Sequence, residues 1–100
     1  MKYPKEYLDE IKTRLKVSTV VSKSVNLKKR GKEFVGLSPF KTEKTPSFTV
    51  NDEKGFYHCF STSEHGNIFD FIMKTQNLKF GEAVKYLANL AGMRPYTFTK

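Results

Sequence analysis

Apolar residues in the first part of the chain recur at three- and four-residue steps, Leu8, Ile11 and Leu15, with Lys, Glu and Arg between them. That period predicts an amphipathic helix. Pro4 suits its first turn, and Glu6, Asp9 and Glu10 lie toward the positive end of the helix dipole. Ser18 is a candidate N-cap for a short second helix through Val20 and Val21. The pattern then changes to that of strands and turns. VNLKK, Arg30-Gly31 and KEFVGLS read as one hairpin, and SFTV, the turn NDEKG and FYHCF as a second. Alternation in the last strand sets Phe56, His58 and Phe60 on one face and Tyr57 and Cys59 on the other. Between the hairpins, Pro39 to Pro46 reads as a loop. Helical spacing then returns. Asn67 caps a helix with Ile68, Phe71, Ile72 and Thr75 on one face, and Asp70 reads as a capping and surface residue. Leu78-Lys79-Phe80 links to a last helix carrying Val84, Leu87 and Leu90 or Ala91, with Gly92 as its C-terminal signal. Helices, a small antiparallel sheet and helices again predict an α+β domain over residues 1–93, with 94–100 as a tail or linker.

Composition narrows the function classes. One hundred residues, 38% hydrophobic and 14% aromatic, suit a single domain with a real core. A domain of this size commonly leans on a metal, disulfides or a partner. One cysteine excludes an internal disulfide framework and any multi-cysteine metal site. The longest stretch free of charged residues is nine long, Gly55 to Ser63, which excludes a membrane-spanning helix. The N-terminus lacks the apolar core of a signal peptide, so the expected location is the cytoplasm.

The net charge of +8 points to a polyanion, either nucleic acid or an anionic membrane surface, with a merely solvated lysine-rich surface as the plain alternative. The excess is concentrated: Lys23 to Lys44 carries seven basic and two acidic residues. Because these bases cluster on a hairpin and not on an amphipathic helix, the membrane reading is disfavoured.

Catalysis finds little support. His58 and Cys59 are neighbours on a strand and face opposite ways, which denies the thiol its base. Asp52 and Glu53 sit in a hairpin turn, no GxxxxGK phosphate loop is present, and no carboxylates are spaced for a two-metal centre. Binding fits better. Phe34, Phe56, His58 and Phe60 are interleaved with Lys28, Lys29, Arg30, Lys32 and Lys54, as a stacking surface for single-stranded nucleic acid requires. Most of the nine phenylalanines are expected in the core, leaving one or two to stack.

One stretch is more specific. Ser38-Pro39-Phe40-Lys41-Thr42-Glu43-Lys44-Thr45-Pro46-Ser47-Phe48-Thr49-Val50, then Tyr57-His58-Cys59-Phe60-Ser61-Thr62-Ser63 and Gly66-Asn67, closely resembles the N-terminal zinc-binding domain of bacterial DnaG-type DNA primases. Leu27-Lys28-Lys29-Arg30-Gly31-Lys32-Glu33-Phe34 is similar to the family's basic hairpin, and the likeness runs from the first helix to Gly92. The family carries Cys, His, Cys and Cys as zinc ligands where this chain has Ser38, Lys41, Cys59 and Thr62. The spacing is kept and three of the four ligands are not, so zinc is expected to be absent. A rescue set of Cys59, His65, Glu64 and His58 is conceivable, but strand alternation argues against His58.

Losing zinc removes about 10 kcal/mol or more of apparent binding free energy, which other interactions must offset. Aromatic packing around Phe40, Phe60 and Phe69 is one route, and a Lys41 ammonium set where the cation sat, bonded to Ser38 and Thr62, is another. Lys41 in solvent is the simpler arrangement, since burying a lysine without a carboxylate is costly.

The resemblance implies recognition of single-stranded DNA template during RNA primer synthesis. It also implies a separate polymerase domain that uses a divalent metal such as magnesium, and contact with the replicative helicase through the rest of the enzyme. The domain itself is expected to be non-catalytic and monomeric. On this reading Lys28, Arg30, Lys32 and Lys44 are candidates for phosphate contacts, with Phe34, Phe56 and His58 as base platforms and Glu43 orienting Lys44. A docking module within the primase–helicase assembly and a stand-alone nucleic-acid-binding protein remain as alternatives.

Overall fold

The structure, a computed structural model, describes residues 3–40 and 44–96. Helices α1 (Lys5–Arg14) and α2 (Val17–Val21) precede strands β1 (Lys28–Arg30), β2 (Glu33–Gly36), β3 (Phe48–Asn51), β4 (Phe56–Cys59) and β5 (His65–Gly66). Helices α3 (Ile68–Gln76) and α4 (Phe80–Leu90) follow. The strands form one antiparallel meander in the order β1-β2-β3-β4-β5, as the α+β expectation requires. Among the described residues no helix is long and apolar enough to cross a membrane.

The two-residue turn at Gly31 and Lys32 sets the register of the first hairpin, pairing Arg30 with Glu33 and Lys29 with Phe34. Gly31 has φ of +64°, the left-handed conformation such a turn needs and glycine takes without a Cβ clash. Because paired residues share a face, the register assigns every side chain. Lys29, Phe34, Val50, Tyr57 and Gly66 form one row across all five strands. Gly36, Phe48 and Cys59 form a parallel row on the same face. Phe48, Val50, Tyr57 and Cys59 are buried there, with α2 packed against β3 and α3 against β5.

The helices supply the rest of the core. Ile11, Leu15, Val17, Val20 and Val21 come from the first two, and Ile68, Phe69, Phe71, Ile72, Ala83, Val84, Leu87 and Ala88 from the last two. Phe40, two residues beyond Ser38, packs among Phe48, Tyr57 and Phe71 with ring centroids 5.9–6.3 Å away. The helix ends are fixed locally. Asn67 caps α3 by accepting from the Phe69 and Asp70 amides, and Asp70 returns a carboxylate to the Asn67 amide. A Cβ built on Gly66 would stand 2.4 Å from that carboxylate, so glycine is required where β5 meets the cap.

Two expectations are corrected. Ser18 is not the cap of α2: it lies inside the helix, which Lys16 precedes, and its amide and hydroxyl both donate to the Asp52 carboxylate, at 2.8 and 2.5 Å. Asp52 thus reaches out of the β3–β4 turn to serve a helix 34 residues away. Phe60 does not pack in the core and is 66% exposed, whereas Phe69 is buried, beside Phe80. The segment after α4 is held in place as far as Tyr96. Tyr7 donates to the Arg94 carbonyl at 2.8 Å, and the Tyr96 ring packs on Tyr3 and Tyr7. Residues 97–100 of the expected tail, with Lys41 and Glu43, lie outside the described residues.

Asp52→Ala removes a charged acceptor that serves two donors, and is expected to lower the unfolding free energy by about 2 kcal/mol. Ser18→Ala, which keeps the amide bond, is expected to cost about half as much. Urea titrations of both variants check this; equal losses would contradict the two-bond arrangement.

Candidate nucleic-acid interface and degenerate metal site

The face of the sheet turned away from the helices is open. Lys28, Val35, Thr49, His58 and His65 run across it from β1 to β5, each the cross-strand partner of the next. Beside this row lie Arg30, paired with Glu33, and Asn51, paired with Phe56. Phe56 is 55% exposed, and beyond the strand end Phe60 continues on the same side, its ring 4.4 Å from that of His58. Phe56, His58 and Phe60 surround a shallow depression also lined by Thr49, Asn51 and Lys54. Large aromatic rings left in water on a sheet, with cations at its edge, can take unstacked bases and a phosphate backbone together.

The proposed phosphate contacts fall around this face. Lys28 and Arg30 project from it, and Lys32 is exposed at the tip of the first hairpin. Lys44 is exposed and shares with Lys28, Val35, Leu37 and Pro46 a groove of about 520 Å³ at the margin of the sheet. Phe34 does not join the other platforms. Its pairing with Lys29 and Val50 puts it on the core face, half-buried, because the two-residue turn brings it into the same row as Tyr57. Phe60 and Lys54, both of the interleaved set, lie by Phe56 and His58 on the open face, and the structure adds His65. Alternation from Phe56 through His58 already carried the signal for Phe60.

Of the positions corresponding to zinc ligands, the three described ones, Ser38, Cys59 and Thr62, meet on the opposite side of the sheet. Cys59 is 0% exposed. Its thiol donates to Ser38 Oγ at 3.1 Å, and Ser61 Oγ and Ser47 Oγ stand 3.3 and 3.9 Å from the sulfur. Ser47 in turn donates to Ser61 at 3.0 Å, and Ser38 accepts the Phe40 amide at 3.0 Å. The loop from Cys59 to Glu64 closes as a knuckle. The Ser63 amide donates to the Cys59 carbonyl at 2.8 Å, the Cys59 amide to the Glu64 carbonyl at 2.7 Å, and Thr62 Oγ1 accepts the Glu64 amide at 3.3 Å. Lys74 of α3 pins this loop through an ion pair with Glu64, whose hydrogen bond holds the ammonium above its ordinary pKa.

Burial alone would push the Cys59 thiol up, but the hydroxyls of Ser38, Ser61 and Thr62, with the Thr62 amide, outweigh it and draw the pKa from 9.0 to about 6.

A structural zinc asks for four thiolate, imidazole or carboxylate donors. Two of the four positions here carry neutral hydroxyls, Lys41 has no lone pair while charged, and one thiol remains. His58 and His65 lie on the far face of the sheet from Cys59, so the rescue set does not assemble. Among the described residues no three His, Cys, Asp or Glu side chains gather closely enough to hold an ion. These residues do not fit zinc.

A ribbon-like antiparallel sheet with a knuckle between β4 and β5, backed by helices on one face only, defines a small zinc-finger-class domain. The chain belongs to the CHC2 zinc finger family, which it matches over residues 3–99. It is 43% identical over 94 residues to a DNA primase of Haemophilus influenzae, covering 93% of this chain and 16% of that one. Similarity to a Pseudomonas putida DNA primase is 47% over 90 residues, covering 90% and 14% of the two chains. An Escherichia coli DNA primase is 46% identical over 85 residues, covering 85% and 15%. The fold superposes on the Aquifex aeolicus primase, solved with its zinc-binding and RNA polymerase domains, with a TM-score of 0.82 at 28% identity. That match covers 88% of this chain and 22% of the Aquifex chain. The chain thus spans about a sixth of the length of the curated relatives it matches.

A thiol whose pKa falls on folding binds fewer protons in the folded state than in the unfolded one. Its contribution is therefore absent below pH 6, grows between 6 and 9, and is complete above 9. Unfolding free energy is expected to rise with pH across that window, by at most about 1.4 kcal/mol per unit. Cys59→Ser should lose the rise; parallel profiles for the two proteins in guanidinium titrations would contradict it.

Proposed function

We propose that this domain recognises single-stranded DNA template for a DNA primase, holding it on the open sheet face while a separate polymerase domain starts the RNA primer. The observation that carries the reading is the pair of exposed rings, Phe56 and Phe60, flanking His58 on a sheet face that no helix covers. Lys28, Arg30, Lys32 and Lys44 supply backbone contacts around it, and the chain's +8 charge favours approach of a polyanion. Stacking on exposed rings is tolerant of base identity, whereas the lysines give salt-dependent affinity. The sequence similarity to DNA primases supports the same assignment.

On this reading the domain itself transfers no nucleotide. Nucleotidyl transfer, with a divalent metal such as magnesium, belongs to the polymerase domain, and contact with a replicative helicase to the rest of a longer enzyme working in the cytoplasm. The role of this chain is to present template in the right place, which lowers the entropic cost of initiation.

Fluorescence anisotropy with a labelled oligothymidylate tests the assignment. Phe56→Ala is expected to weaken binding by about five- to a hundredfold, the range for losing one stacked base. Lys28→Ala should reduce the slope of log K against log salt by about 0.7. Unchanged affinity in Phe56→Ala/Phe60→Ala would remove the sheet face as the DNA site. NMR shift changes at these residues with a polymerase domain, and none with oligonucleotide, would turn the face into a docking surface.

A further inference from the structure

We propose that a cage of hydroxyls around the Cys59 thiol has taken the place of the metal centre, keeping the metal-site backbone and making the domain independent of zinc. This stands apart from the DNA-binding reading, since it concerns the opposite face of the sheet.

Ser38 follows β2, Ser47 immediately precedes β3, and Ser61 follows β4, yet all three hydroxyls lie within 3.9 Å of one buried sulfur. Three separate segments that meet at a point are what a coordinated ion would impose, and here hydrogen bonds among Ser38, Ser47, Cys59 and Ser61 hold them. The knuckle is kept as well. Ser63 sits at φ +65°, a left-handed conformation unfavourable for a residue with a Cβ, which persists where its surroundings over-determine it. Those surroundings are the Ser63–Cys59 and Cys59–Glu64 backbone bonds and the Glu64–Lys74 ion pair.

The chemistry of exchange is favourable. A hydroxyl both donates and accepts, so each serine can bond its neighbour and the sulfur whichever of the two supplies the proton. The buried members, Ser38 and Cys59, satisfy each other and escape the penalty of an unpaired group, with half-buried Ser47 and exposed Ser61 completing the set. The ring of Phe40, on the same loop as Ser38, is inserted among Phe48, Tyr57 and Phe71, and secures by apolar contact what a metal bond would otherwise secure.

Three measurements on the 100-residue chain decide the matter. Protein from zinc-supplemented medium, purified without chelator, is expected to carry no stoichiometric zinc, and its melting temperature should not move on adding a strong chelator. An equivalent of bound zinc, or melting that collapses with chelator, overturns the proposal. The combined variant Ser38→Cys/Lys41→His/Thr62→Cys restores four donors with Cys59. It is expected to take up one equivalent of zinc, to give the visible absorption of a tetrahedral thiolate site with cobalt, and to become chelator-sensitive. Folded combined variant without metal uptake overturns the claim that the site's backbone is kept. Should that variant fail to fold, Ser38→Ala and Ser61→Ala still test the cage: each is expected to lower the melting temperature by roughly 4–8 °C. Melting unchanged in both would show that the hydroxyls hold nothing.

Discussion

A sheet covered by helices on one side has a single buried face, and alternation along each strand then decides the fate of every side chain. In β4 this rule sends Tyr57 and Cys59 inward and leaves Phe56 and His58 in water. Everything else hangs on that division. The inner face carries the aromatic cluster and the converging hydroxyls, and the outer face carries rings and cations that no other part of the described chain conceals. A slip of one residue in the pairing of β3 with β4 would exchange the two sets and destroy both.

The inner face explains how a small domain manages with one cysteine. Its aromatic rings touch in a connected group, Phe40, Phe48, Tyr57 and Phe71, and this group abuts the loops that a zinc finger would staple. The remaining gap is filled by side chains of serine, which are small enough to converge and able to bond one another. Belonging to a zinc-finger family therefore does not by itself supply the donors: coordination is a property of four side chains, whereas the fold is held by many more.

Much of this was legible in the sequence because it is local. Helical spacing located α1, α3 and α4, Asn67 announced its cap, and the Gly-containing turns announced both hairpins. The resemblance to primases rested on a motif of fixed spacing and led to the right family. The misplacements share one cause, which is dependence on partners distant along the chain. Ser18 read as a cap until Asp52, remote in sequence, took its hydrogen bonds. Strand β5 is only two residues long, too short for a period, and exists because it pairs with Tyr57 and His58. Phe34 was grouped with Phe56 on composition, but its side is set by a register that begins at a two-residue turn. At the degenerate metal site, the ligand positions could be read from spacing, while the part played by Ser47 and Ser61 could not, since neither occupies a ligand position.

The tyrosines at the other end of the molecule have a consequence for anything joined to this domain. Tyr3 and Tyr7 grip Tyr96, and Tyr7 also fastens the Arg94 carbonyl. The five residues between the last helix and Tyr96 are therefore held between α4 and the contacts that Arg94 and Tyr96 make with Tyr7. The reach of any module joined to this domain is therefore counted from Tyr96 and not from Leu90. Effective concentration depends on the length of chain between two joined modules, so three aromatic rings fix the point from which that length is measured.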